Sequence, residues 1–309
     1  MSILTVTLNA CVDKTYTVPG FALDQVHRPT AMVVSAGGKG INVARVYRSL
    51  GGEVTATGFL GGSNGDFLRR AMLREGVTPD FVAVAEESRV CIAIMDPIGG
   101  TQTELNENGP RITSADGDVL LARLRELLPG RDAVIISGSM PPDTPPALYR
   151  DIITLAQDEF GVKAVLDTSG EALALGAQAR PFLLKPNVHE LSALGITEDG
   201  WAESAQSLRR KYDVPLAMVT AGARGAVLAG PEGLWEAVPP PITVVSAVGS
   251  GDSLTAAFIW ASGNGYNYGE ALRLGVAAGA ANTTAYGAGI FPRELVFELA
   301  ARTQVNKLG

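Results

Sequence analysis

The sequence predicts an α/β fold with a mainly parallel central sheet, helices on both faces of that sheet, and a small β-sheet lid. From about residue 54 onward, short β-rich runs alternate with amphipathic helical stretches. Polar and glycine-rich clusters follow several of these runs, and ligands of parallel sheets bind at the carboxyl ends of the strands. Two segments, residues 15–36 and 88–109, break the alternation with β-like stretches.

The elements follow in order. The first strand is predicted within residues 1–8, a short run rich in β-formers without the basic head of a signal peptide. Later strands are predicted over residues 54–59, 133–137, 164–167, 182–185 and 217–220, and helices over residues 117–128, 147–159, 202–212 and 270–285.

The two interrupting segments can pair as a separate sheet that serves as a lid, or they can be extra edge strands. Gly99 and Gly100 predict a turn between two strands within residues 88–109. We favour the lid because polar residues suited to a ligand border both segments. We find no linker and predict one domain over residues 1–309.

Composition limits the function. The chain has 309 residues, 46% of them hydrophobic, which is enough for a large core. A net charge of −7 argues against a nucleic-acid partner. No apolar run approaches the ~20 residues of a membrane span. Two isolated cysteines, Cys11 and Cys91, indicate a reducing compartment, so we expect a cytoplasmic location. With only two histidines and no Cys/His cluster, a structural zinc site is not expected.

Residues 248–253 form a glycine loop that enters an apolar helical run. The amides of Gly249, Ser250 and Gly251 at a helix start suit an anion such as phosphate. Asp252 beside such a site can accept a proton from an attacking hydroxyl. The competing interpretation is that Asp252 merely caps the helix, and the motif alone does not decide between them.

A second glycine cluster spans residues 36–45 and lacks the spacing of a Walker A loop. Gly37 and Gly38 allow close backbone approach to a polyol, Lys39 offers a cation, and Asn42 can donate and accept hydrogen bonds. The alternative is a plain turn. Asp13, just past the first strand, can accept hydrogen bonds from sugar hydroxyls or can be an ordinary turn aspartate.

Other polar residues fit a phosphorylated substrate or a nucleotide. Arg28 and Arg89 suit a phosphate dianion, although either alone can be a solvated surface arginine. Asn187 and Glu190, three residues apart, can hold Mg²⁺ through water or can cap a helix. The turn at residues 220–225 can lie against a nucleotide phosphate.

Asn282, in the predicted helix over residues 270–285, is a further candidate. Its amide can reach an adenine or a ribose. It can equally be a polar residue that the helix tolerates.

Together these residues resemble the PfkB carbohydrate kinase family, whose fold is ribokinase-like. Both glycine clusters, residues 37–42 and 249–253, match the family's motifs in its order, over nearly the whole chain. The sugar-phosphate branch, tagatose-6-phosphate kinases and 1-phosphofructokinases, is the most similar. Residues 91–94 and 102–104 look closer to tagatose-6-phosphate kinases. Ala10-Cys11, where the family usually has proline and a small residue, and Met140, usually leucine, depart from the pattern.

The resemblance implies roles for the matching residues. Asp252 would be the catalytic base, and Gly249, Ser250 and Gly251 the anion hole. The sugar would contact Asp13, Gly37, Gly38, Lys39, Asn42 and Ser139, and its phosphate Arg28 and Arg89. The nucleotide site would include Lys185, Asn187, Thr220, Gly222, Gly225 and Asn282, with Asn187 and Glu190 organising Mg²⁺ through water.

The implied activity is ATP- and Mg²⁺-dependent phosphorylation of a ketohexose phosphate, first tagatose 6-phosphate, giving tagatose 1,6-bisphosphate. The alternatives are a 1-phosphofructokinase or a 6-phosphofructokinase giving fructose 1,6-bisphosphate. A non-catalytic sugar-phosphate or nucleotide sensor would not need Asp252, the glycine loop, Asn187 and Glu190 together. A kinase of an unphosphorylated sugar or nucleoside would not need Arg28 and Arg89. The lid would exclude water and could form a homodimer contact.

Overall fold

Alternating strands and helices build the predicted layers. The computed structural model describes residues 1–197 and 200–308, and all structural statements below concern those residues. Its strands are β1 Ser2–Thr7, β2 Cys11–Thr17, β3 Ala31–Gly37, β4 Glu53–Gly61, β5 Thr78–Pro79, β6 Val82–Val84, β7 Arg89–Asp96, β8 Thr101–Asn106, β9 Ala133–Ser137, β10 Lys163–Asp167, β11 Leu183–Leu184, β12 Leu216–Thr220, β13 Ala226–Gly230, β14 Gly233–Val238 and β15 Gln304–Leu308.

The helices are α1 Lys39–Ser49, α2 Gly62–Arg74, α3 Ser114–Leu127, α4 Leu148–Thr154, α5 Gly170–Ala177, α6 Trp201–Tyr212, α7 Ser250–Gly263, α8 Tyr268–Asn282 and α9 Arg293–Ala300. The helix predicted over residues 147–159 is α4 followed by a π-helical turn, Leu155–Glu159. The other predicted helices and strands are present, with ends shifted by a few residues.

The central sheet has eleven strands among the described residues, in the order β15-β14-β13-β12-β11-β10-β9-β1-β4-β5, with β6 beside β4. The strands from β12 to β4 pair in parallel, and β13 to β15 extend the sheet antiparallel. The predicted mainly parallel sheet is confirmed.

Each face of this sheet packs its own hydrophobic core because side chains alternate along a strand. In β9, Ile135 joins the core under α1, α7, α8 and α9, whereas Val134 and Ile136 join the core under α3 to α6. Burial on both faces explains the continuous apolar run of β9. The parallel strands therefore deliver their carboxyl ends to one edge.

The predicted smaller sheet is present, with four strands in the order β3-β2-β7-β8. It pairs strands from the segments at residues 15–36 and 88–109, although β2 begins earlier, at Cys11. β2 pairs with β3 antiparallel and with β7 in parallel, and β7 and β8 form the predicted hairpin. We call this four-stranded unit the lid sheet. None of the described helices combines the length and apolar character that a membrane crossing needs.

Candidate active site

The two glycine clusters meet in one cleft between the lid sheet and the central sheet, although Asn42 and Asp252 are 210 residues apart in sequence. The cleft has a volume of about 480 Å³, which lies in the range of small-molecule binding sites. The predicted site residues that line it are Asp13, Gly38, Lys39, Asn42, Arg89, Lys185, Asn187, Thr220, Gly249, Gly251 and Asp252.

Asp252 lies in the first turn of α7 and is only 5% exposed. Its Oδ2 accepts a hydrogen bond of 2.9 Å from Asn42 Nδ2. Burial raises the pKa of Asp252 to about 6, and this exceeds the opposing effect of Lys39. A carboxylate with that pKa is ionised at neutral pH and is a better proton acceptor than an ordinary aspartate.

The start of α7 lies beside this carboxylate. The amide of Ser250 donates to the carbonyl of Ala247 at 3.3 Å, so an anion there would rely on the amides of Gly249 and Gly251. Gly249 precedes the helix at φ 84°, and no side chain caps the helix in the described chain. A Cβ on Gly249 would lie 2.5 Å from the Cβ of Ala288, so the tight turn needs glycine. Uncapped amides at a helix start favour an anion.

Asn282 supports this loop from behind. It is 1% exposed, and its Nδ2 donates to the carbonyl of Val248 at 2.7 Å. Its Oδ1 accepts from Ser253 Oγ at 3.3 Å and from the amide of Gly289 at 2.7 Å. The amide group predicted to reach an adenine or ribose is thus bonded to the protein, and Asn282 is not among the residues lining the cleft.

A buried hydrogen-bond chain orients Asn42. Arg45 Nη1 donates to Asn42 Oδ1 at 3.0 Å, so the Nδ2 of that amide faces Asp252. The same guanidinium donates to the carbonyl of Ala288 at 2.8 Å and pairs through Nε with Glu75 Oε2 at 2.9 Å. Sequence reasoning missed Arg45, which follows Asn42 by one helical turn on α1.

Asp167, at the carboxyl end of β10, pairs with two lysines that line the cleft. Its Oδ1 accepts from Lys39 Nζ at 3.1 Å, and its Oδ2 pairs with Lys185 Nζ at 2.8 Å. Burial alone would raise the pKa of Asp167, but the two lysines outweigh it and lower that pKa. Asp167 in turn raises the pKa of Lys39, which keeps that lysine charged. Its position after a strand was the sequence signal that could have found it.

Arg89 borders both the cleft and a neighbouring recess that also holds Asn9, Lys39 and Ser139. Arg89 Nε donates to the carbonyl of Asn9 at 3.2 Å, and Asn9 Nδ2 lies 3.4 Å from Ser139 Oγ. Two cations and several neutral donors therefore surround one recess, a setting that suits a phosphate dianion.

Two residues predicted for the sugar site, Gly37 and Arg28, do not line the cleft or the recess. Gly37 lies directly beneath the carboxylate of Asp13, where any Cβ would collide with it. Arg28 is exposed in the loop between β2 and β3.

Asn187 and Glu190 adopt the capping arrangement that the sequence left open. Asn187 Oδ1 accepts from the amide of Glu190 at 3.2 Å, and Glu190 Oε2 accepts from the amide of Asn187 at 2.9 Å. The pair still fits a hydrated divalent cation, since carboxylate and amide oxygens are its preferred ligands and Asn187 lines the cleft.

Of the three residues predicted for the nucleotide turn, Thr220, Gly222 and Gly225, only Thr220 lines the cleft. It lies at the end of β12. Gly222 is exposed in a short 3₁₀ turn, and Gly225 is buried against the carbonyl of Ala237. Gly225 therefore shapes the turn from below.

Comparison with known proteins gives a consistent result. The family described as pfkB family carbohydrate kinase matches residues 6–294. A 1-phosphofructokinase of Rhodobacter capsulatus is 37% identical over 100% of this chain and 98% of its own length. A tagatose-6-phosphate kinase of Staphylococcus epidermidis is 36% identical over 82% of this chain and 83% of its own length. Phosphofructokinase-2 from Escherichia coli, solved in complex with substrates and products, superposes with a TM-score of 0.91 at 30% identity, covering 98% of this chain and 99% of that one.

Proposed function

This chain belongs to the pfkB family of carbohydrate kinases and is an ATP-dependent sugar-phosphate kinase, and we propose that its acceptor is a ketohexose monophosphate. One observation carries the proposal. Asp252, bonded to Asn42 at 2.9 Å, lies at the uncapped start of α7, with Lys39 and Arg89 in the same cleft. That arrangement suits a phosphorylated alcohol better than a neutral sugar.

In the proposed reaction, Asp252 accepts the proton of the attacking hydroxyl while the amides at the start of α7 stabilise the transferring phosphoryl group. The transition state of phosphoryl transfer is loose, so orientation matters more than the strength of the base. Fixed donors directed at the developing charge supply most of the remaining stabilisation.

The cations of the cleft divide between the two substrates in this proposal. Lys185 lies 3.7 Å from where a Cβ of Gly251 would be, next to the anion hole, which suits a nucleotide phosphate. Lys39 and Arg89 lie toward the recess, which suits the phosphate already on the sugar. Asp167, paired with both lysines, fixes their separation.

We propose Mg²⁺ as the divalent cation, held by Asn187 and Glu190 through water. When bound, it would neutralise charge on the nucleotide phosphates. The cap uses only Oε2 of Glu190, so Oε1 of that carboxylate can contact the water shell of the cation.

Two acceptors are proposed in order. Tagatose 6-phosphate comes first, because the segments at residues 91–94 and 102–104 look closest to that branch. Fructose 1-phosphate is second, supported by the relative that matches 100% of this chain. An ADP-release assay across tagatose 6-phosphate, fructose 1-phosphate and fructose 6-phosphate, with fructose and ribose as controls, tests the proposal. Higher kcat/KM on fructose or ribose would refute it.

The phosphate clamp has its own test. Arg89→Ala should raise KM for the sugar phosphate far more than KM for ATP, because Arg89 borders the recess, whose lining does not include Lys185, Asn187 or Thr220. Arg28→Ala, made in parallel, tests the exposed arginine for the same role. Equal effects of Arg89→Ala on both KM values would argue against the clamp.

We also propose that the protein is cytoplasmic.

We propose further that two copies pair through the outer face of the lid sheet. Opposite the cleft, this face exposes Met32 and Leu105, each 58% exposed, beside Val34. Exposed apolar side chains in such a patch favour a protein contact.

A further inference from the structure

The cleft face of the lid sheet carries a cluster of two thiols and one carboxylate, of which the kinase proposal uses only Asp13. Asp13 pairs directly with Cys91 across β2 and β7, and Cys11 precedes Asp13 by two residues on β2. Side chains two residues apart on a strand, and side chains of directly paired residues, point to the same face. The two sulfur atoms and a carboxylate oxygen accordingly lie within 4.8 Å of one another.

We propose that Cys11, Asp13 and Cys91 form a three-ligand site for a thiophilic divalent cation such as Zn²⁺. Two thiolates and one carboxylate match the donors that Zn²⁺ takes, and three protein ligands leave a fourth coordination position open. All three residues line the cleft, so that position faces the substrates. Mg²⁺, which binds oxygen ligands, is not expected there.

The surroundings make the ligands available. Cys11 Sγ already donates to Asp13 Oδ1 at 3.0 Å, so the proton that a cation would displace lies between two of its ligands.

A disulfide between these cysteines does not fit the register. Cys11 pairs with Arg89, two residues before Cys91. From ordinary strand spacing and rise, the Cα atoms of the two cysteines are about 8 Å apart. Disulfides need a separation below about 7 Å, so oxidation would have to shift a strand, whereas a metal ion can bridge side chains whose ligand atoms lie within 4.8 Å of one another.

Occupancy would take the carboxylate of Asp13 away from the sugar. The cation and the sugar phosphate should therefore exclude each other, and Zn²⁺ should inhibit the enzyme. This second part rests on the proposed function, because it needs Asp13 to contact the sugar. The existence of the metal site does not depend on it.

Co²⁺ titration of the full chain, without nucleotide or Mg²⁺, tests the site. Co²⁺ bound to thiolates absorbs in the near ultraviolet, and the chain has only two cysteines, so such a band can come only from this cluster. We expect one Co²⁺ per chain, a weaker band in Cys11→Ala or Cys91→Ala, and no band in the double variant.

Glu104→Gln is the matched control, because Glu104 is another carboxylate of the same cleft and should leave the band intact. Circular dichroism must show each variant folded. A wild-type chain without the band, or a band that survives in the folded double variant, overturns the site.

A competition arm separates the two parts. Adding tagatose 6-phosphate or fructose 1-phosphate should abolish the Co²⁺ band, and ZnCl₂ should raise KM for the sugar phosphate. If the band forms but persists at saturating sugar phosphate, the metal site stands, and inhibition through Asp13, together with its sugar contact, is overturned.

Discussion

At the scale of single residues, the site holds a charge where burial opposes it. Asp252 is 5% exposed, and burial raises its pKa from 3.8 to about 6. The folded chain therefore binds a proton at Asp252 more tightly than the unfolded chain does. The ionised carboxylate opposes folding, increasingly as pH rises from about 4 to 6 and fully above that. Reactivity and stability conflict at this position.

Asp252→Asn tests both sides of that conflict. We expect kcat to fall roughly 10²- to 10⁴-fold because the proton acceptor is lost. In the wild type, kcat/KM should decline as pH falls through about 6, since protonated Asp252 cannot accept a proton, and the variant should lack this decline. Differential scanning fluorimetry at pH 7.5 should show a melting temperature raised by roughly 2–4 °C. Near-normal turnover would contradict the base assignment.

Arg45 should act on catalysis without touching substrate. Arg45→Met frees the amide of Asn42 to turn, so Asp252 loses the hydrogen bond that lowers its pKa. We expect kcat to fall roughly 10- to 100-fold and the acid limb of the pH profile to move to higher pH. Arg48→Met, on the same helix, is the control and should leave the limb in place. A variant that lost only stability would show Arg45 to be merely structural.

The residues of the site that sequence could predict are those within local motifs. Glycine spacing makes two such motifs recognisable, residues 249–252 and residues 37–42. The contacts between motifs were out of reach, because Asn42 and Asp252 are 210 residues apart and Lys39 and Asp167 are 128 apart. For the same reason, residue spacing gives no sign of the cluster of Cys11, Asp13 and Cys91. The small number of histidines and the lack of a Cys/His cluster argued only against a structural zinc site.

At the scale of elements, buried parallel strands were predictable because both of their faces are apolar. The strand predicted over residues 133–137 matches β9. The antiparallel edge β13 to β15 was not foreseen, because β14 and β15 are only partly buried and lack a continuous apolar run, and β15 adds from the far end of the chain. The helix predicted over residues 270–285 ends earlier, because α8 stops at Asn282. The side-chain amide of Asn282 donates to the carbonyl of Val248 in the loop before α7.

The turn before α7 is the element most sensitive to substitution. Gly249→Ala adds a Cβ 2.5 Å from that of Ala288, at a φ of 84° that disfavours side chains. Gly265→Ala, at φ 86° with open space around it, is the control for backbone strain alone. Gly249→Ala should cost about 1–3 kcal/mol more than Gly265→Ala in urea unfolding, and should lower kcat as the anion hole shifts. Equal losses of stability would show that the contact with Ala288 is relieved easily.

At the scale of the whole molecule, the lid sheet has two unlike faces. Its inner face carries Asp13, Cys91, Glu104 and Asn106 into the cleft, and its outer face carries apolar side chains to the surface. A β-sheet with one polar and one apolar exposed face is expected to bury the apolar one.

Leu105→Lys tests whether a second copy covers that face. A charge at this 58% exposed position should convert dimers to monomers, as measured by size-exclusion chromatography with light scattering. Val119→Lys, on α3 and 54% exposed, introduces the same charge away from the lid and should leave the dimer intact. A wild-type chain that is monomeric at all concentrations would remove the proposed contact.

The placement of Cys11 and Cys91 has a practical consequence. Every thiol in the chain borders the cleft, and the half-buried Cys91 is the more accessible of the two. A maleimide dye added to the native protein would therefore attach beside the substrates without any engineered cysteine. Its fluorescence would report directly on ligand arrival and on movement of the lid sheet, in the wild-type sequence.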